Sequence, residues 1–141
     1  MVSKNTEGLN HEQSLLRIGE DGSNLNWLIG HMTASRNNVI RLLEGEPTWD
    51  NEQITRYDRG SQVGAAEEAE QLSDLLAALA QAGERLAQTI RAADADSLER
   101  PDPRNASQTV LDATNFLVWH DTYHAGQTAL YRRLAGFSGV L

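Results

Sequence analysis

Two histidines, His120 and His124, stand four residues apart in the stretch WHDTYHAGQ, inside a segment that otherwise reads as uninterrupted helix. This spacing projects both imidazoles from one helix face a turn apart, so two ring nitrogens can reach one metal ion. It serves equally well for two ordinary surface or hydrogen-bonded imidazoles, and the pair alone leaves both readings open. The zinc-protease form of the motif has glutamate after the first histidine; here that position is Asp121, a shorter arm. A third histidine, His31, lies in an earlier helical segment, and neighbouring helices of a bundle can bring its level to that of the pair. The chain has no cysteine, so a metal must be held by nitrogen and oxygen. Three imidazoles leave coordination positions for water or substrate, as in open rather than structural sites. His11 falls in a connection and is expected to face solvent.

The elements that must position these residues follow from the spacing of apolar side chains. Ser23 and Asn24 offer N-cap oxygens, after which Leu25, Leu28, Met32, Ser35, Val39 and Leu42 recur at three- and four-residue steps, predicting a helix over 25–44 stopped by Gly45 and Pro47. The stretch EPTWDNEQITRYDRGSQVG has no sustained period and reads as a long connection with one short helical turn. From 65 to 92 the pattern returns, with Leu72, Leu75, Leu76, Leu79, Leu86 and Ile90 on one stripe and Gly83 marking a close helix contact. Two prolines in LERPDPRNAS break the pattern. Ser107 or Thr109 then caps a last helix over 109–134, with Leu111, Thr114, Leu117, Val118, Leu130 and Leu134 inside and Gly136 at its end. No segment alternates as a strand does. Trp27 and Trp119 read as bundle packing.

Three long helices with long connections indicate an all-α fold of the four-helix-bundle type, one domain over 1–141. The fourth helix is hard to place. NHEQSLLR, residues 10–17, supplies two turns capped by Asn10, with nine residues ahead of it. The first helix is therefore short or truncated in this sequence, and an uncovered groove predicts a homodimer.

Composition narrows the function. Apolar residues make up 40% and charged residues 23%, close to an average soluble protein. No apolar run approaches a membrane span, and the amino terminus has no apolar core for a secretory signal, so a cytoplasmic location is expected. Twenty acidic against twelve basic residues give a formal charge of −8, which disfavours a nucleic-acid partner.

GHMTASR around His31, WHDTYHAGQTALYRRLAG around the pair, LNWLIGHM and the YDRGS segment of the connection together resemble the signatures of the DinB-like superfamily, which includes the YfiT-like metal-dependent hydrolases. The resemblance covers most of the chain after about residue 6. It implies a four-helix bundle with a crossover connection and a divalent ion, zinc, nickel, manganese or iron, held by His31, His120 and His124. It further implies activity on small electrophiles, by hydrolysis or by transfer to a low-molecular-weight thiol such as bacillithiol or mycothiol. The other function class is a metal-binding helical stress protein without turnover, since no catalytic acid or base is identifiable from the sequence. Gln127 and Tyr123, with Ser35 and Asn38 on the helix of His31, are candidates to steady the imidazoles through their second nitrogens; each is equally an ordinary polar position.

Overall fold

A computed structural model describes residues 1–19, 22–61 and 66–140. The fold is all-α as expected, with α1 (Val2–Thr6), α2 (His11–Ser14), α3 (Leu25–Leu42), α4 (Asn51–Arg56), α5 (Leu72–Ala92), α6 (Ala95–Glu99) and α7 (Val110–Leu134). A single 3₁₀ turn, Ala66–Glu68, precedes α5. That helix therefore begins later than its apolar spacing suggested, and residue 65 lies outside the described residues. No helix among the described residues is long and apolar enough to cross a membrane.

α3 is the centre of the molecule, packed against α5 on one side and α7 on the other. Its first half gives Leu25, Leu28, Ile29, Met32 and Ala34 to a core completed by Trp49, Ile54, Tyr57, Leu72, Leu75, Leu79 and Tyr131. Its second half gives Val39 and Leu42 to a smaller cluster with Leu43, Val110 and Leu117. The Asn24 side chain accepts from the Trp27 amide and caps α3, satisfying one amide that the helix leaves without a partner. At the other end the left-handed residue is Glu44, at φ 61°, rather than Gly45. Glu44 and Gly45 donate back to Arg41 and Ile40 in a Schellman arrangement. Gly45 is needed instead for space, because a Cβ there would meet Thr89 at 2.7 Å.

Buried Asn37 fixes the connection after α3. Its Oδ1 accepts from the Thr48 amide (2.7 Å), the Thr48 hydroxyl (3.1 Å) and the Trp49 amide (3.1 Å), while its Nδ2 donates to the Thr33 carbonyl (2.9 Å). Gly83 does mark a close contact: the Arg36 guanidinium lies where its Cβ would be, 2.8 Å away. Arg36 thereby ties three helices, donating to the Leu79 carbonyl of α5 (2.7 Å) and to Asp121 of α7 (2.8 Å).

Three expectations are corrected. A short antiparallel hairpin, β1 (Pro101–Asp102) with β2 (Asn105–Thr109), occupies the segment read as strand-free. Strand β2 is almost wholly exposed and the hairpin is held by buried Asp102 accepting from the Arg104 amide and guanidinium, so it carries no apolar alternation to read. On α7, Leu111, Val118, Leu130 and Leu134 are exposed rather than inside, because apolar residues occur on more than one face of this helix. His11 opens α2 half-buried, not facing solvent in a connection.

Among the described residues ahead of α3 the helices are α1 and the capped turn α2, and α1 lies along the last part of α7. Asn5 donates to Thr128 Oγ1 (2.8 Å) and to the Ala125 carbonyl (3.3 Å), and Arg132 donates to the Glu7 carbonyl (2.7 Å).

Candidate metal centre

The packing of α3 on α7 brings all three expected histidines together. His31 is buried and His120 and His124 are half-buried. The Nε2 of His120 lies 3.0 Å from the Nε2 of His31 and 3.0 Å from the Nε2 of His124. One ligand atom from each residue falls within 4.8 Å of the other two. Metal–nitrogen bonds of about 2.0–2.1 Å at a tetrahedral angle set ligand nitrogens roughly 3.3 Å apart, so small ring movements would let the trio share an ion.

The outward nitrogens decide what the inward ones carry. His31 Nδ1 faces the Tyr57 carbonyl at 2.8 Å, which only accepts, so Nδ1 bears the hydrogen and Nε2 presents a lone pair. His124 Nδ1 faces Gln127 Oε1 at 2.6 Å, while the other end of that amide donates to the Tyr123 hydroxyl at 3.1 Å; His124 Nε2 is likewise a bare acceptor. Two lone pairs thus point at His120 Nε2, which carries at most one hydrogen and can satisfy one of them. A cation at the centre resolves the conflict for all three.

His120 completes the pattern. Its Nδ1 is buried without a hydrogen-bond partner, as is Oδ1 of Asp121, and the two are 3.9 Å apart. A small rotation would join them and leave Nε2 of His120 free to ligate. Each imidazole then has an acceptor behind it, the wiring that orients histidine ligands in metalloproteins.

Burial holds the His31 and His124 imidazoles below their ordinary value, outweighing the opposing effect of their hydrogen bonds to the Tyr57 carbonyl and Gln127 Oε1. Both rings are therefore neutral at pH 7, the form that binds metal.

Of the steadying residues expected from sequence, Gln127 accepts from His124 Nδ1, while Tyr123 packs its ring on His124 and hydrogen-bonds only to Gln127. Among the described residues, Ser35 and Asn38 make no hydrogen bond to an imidazole. What the sequence reading missed is the Tyr57 carbonyl, delivered by the end of α4. Gly30 admits it: a Cβ on Gly30 would lie 2.2 Å from the Tyr57 ring. Trp27 is not simple bundle packing, since its ring stacks on His31 at 4.9 Å and 6° and its Nε1 donates to Ser61 Oγ at 3.1 Å. Trp119 is exposed and stacks on Tyr123 at 5.6 Å and 12°.

A sequence model of the DinB superfamily matches residues 2–128. No curated protein matches the chain.

Proposed function

Because the chain belongs to the DinB superfamily, we propose that His31, His120 and His124 hold one divalent metal ion through their Nε2 atoms and that the loaded protein is an enzyme acting on a small electrophile. The observation that carries this reading is the convergence of three Nε2 atoms, two of them lone pairs fixed by Tyr57 and Gln127. Three imidazoles without thiolate or carboxylate suit zinc, nickel, iron or manganese and leave room for an exogenous ligand. Such an ion is a Lewis acid that lowers the pKa of a water or thiol and polarises an oxygen of the electrophile. The chain's own residues orient and shield. Trp27 covers one face of His31, Gln127 and the Tyr57 carbonyl retain the outward protons, and Arg36 anchors Asp121 behind His120.

Hydrolysis and transfer to a low-molecular-weight thiol, such as bacillithiol or mycothiol, are the two reaction types that such a site supports. We place the activity in the cytoplasm, in a single domain that works as a homodimer, with a small molecule rather than nucleic acid or membrane as its partner.

A second reading, a metal-binding protein without turnover, is favoured by one observation. Asp121 and Tyr123, the carboxylate and the phenol next to the two histidines in sequence, are engaged elsewhere, Asp121 with Arg36 and Tyr123 with Gln127. Metal-loaded protein assayed with cellular thiols and a halogenated aromatic, and with esters, amides and lactones, separates the two. The enzyme reading expects acceleration that chelation abolishes; inactivity throughout at full metal loading favours the binding protein.

A further inference from the structure

The apolar side chains of α7 that were expected inside, and are not, form an ordered surface. Phe116, Trp119, Tyr123, Gly126, Leu130 and Leu134 follow one another at three- and four-residue steps, so they share one face of the helix. The five large ones are 60%, 59%, 53%, 53% and 44% exposed in that order. Taking about 150–250 Å² for a large side chain, the stripe offers roughly 500 Å² of uncovered surface, near the upper end of what a monomer usually shows in one patch. It begins at the histidine site: Tyr123 packs on His124 at 5.1 Å and Phe116 on His120 at 6.1 Å between ring centroids.

We propose that α7 pairs with α7 of a second copy, antiparallel about a two-fold axis passing near Gly126, so that the leucine half of each helix covers the aromatic half of the other. The inference rests on the homodimer reading above and adds its face, its register and its consequence for the site. The order of the stripe commits it to this occupant. A two-fold axis between Gly126 and Gln127 sets Tyr123 opposite Leu130 of the partner subunit and Trp119 opposite Leu134 of the partner subunit, an isologous and self-complementary contact. Gly126, exposed and with nothing within 4 Å of where a Cβ would be, lets the backbones approach at the crossing. Antiparallel pairing also opposes the two helix dipoles, which parallel pairing would align. Two copies together bury roughly 1,000 Å², the size from which specific interfaces begin. The aromatic side of the histidine site then becomes a wall shared by both subunits.

The cysteine-free chain makes the test clean, using the whole 141-residue protein. Helix axes about 8 Å apart bring facing Cα atoms on a two-fold axis within disulfide reach. Gly126→Cys is therefore expected to form a disulfide-linked dimer under mild oxidation, while the exposed α5 control Gln81→Cys is not. In sedimentation velocity, Leu130→Arg should weaken dimerisation at least tenfold with helical circular dichroism unchanged; if that variant fails to fold, cross-linking at position 126 decides. A wild-type chain that stays monomeric up to about 100 µM overturns both this inference and the homodimer reading. A dimer that persists in Leu130→Arg and does not cross-link through position 126 overturns this inference alone.

Discussion

At the scale of single residues, the site is a problem of where three protons sit. His31 and His124 have theirs fixed on the outward nitrogen by an acceptor, so the inward lone pairs are set before any ion arrives. Gln127 is the one such acceptor on a side chain that can be replaced freely. Gln127→Leu should weaken metal affinity by about 10–100-fold, the usual cost of losing such a partner, with little change in fold; Gln127→Glu should restore most of it. A titration showing equal affinity in Gln127→Leu and wild type would remove the orienting role. Gly30→Ala works through another residue, displacing the Tyr57 ring and with it the carbonyl behind His31, and should lower both stability and metal affinity. The histidine pair and Gln127 were legible because helical spacing fixes who faces whom. The Tyr57 carbonyl was not, since every residue has a carbonyl and only the folded path of the connection brings this one to His31. His31 itself was legible only jointly with the pair, through the resemblance its surroundings carry.

At the scale of elements, α3 positions the site by touching everything around it, and the connection that follows it is held by Asn37. Asn37→Ala leaves the half-buried Thr48 amide and the buried Trp49 amide without their acceptor and should cost about 1–3 kcal/mol, read as a lower urea midpoint with unchanged slope. The hairpin β1–β2 gives a pH-dependent counterpart. Hydrogen bonds from Arg104 hold the buried Asp102 carboxyl below the usual carboxylate range. Its folded pKa lies under its unfolded value of about 3.9, so it stabilises fully above that value and the contribution is lost as pH falls through the folded one. The stability difference between wild type and Asp102→Asn should thus be constant from about pH 5 to 8 and shrink below about pH 4; a difference independent of pH down to 2 would contradict the assignment. The boundaries of α3 and α7 were readable from caps at Asn24 and Thr109 that the structure contains. Which face of α7 is buried was not, because Leu117 and Tyr131 point inward while Val118 and Leu130, each one residue away in sequence, point out.

At the scale of the whole molecule, the three histidines join α3 to α7 across 89 residues of chain, so an ion bound there stabilises the assembled fold. At a free metal concentration about 100 times the dissociation constant the gain is ~2.7 kcal/mol, enough to raise the unfolding midpoint by several degrees. In the variant with His31, His120 and His124 all replaced by alanine the same metal should leave the midpoint unmoved. Whether these imidazoles hold an ion is read directly by elemental analysis of protein purified without chelator or affinity tag. The expected result is about one divalent ion per protomer in the wild type, loss of most of it in His124→Ala with helical circular dichroism nearly intact, and none in the triple alanine variant. Stoichiometric metal retained by the triple variant would contradict it.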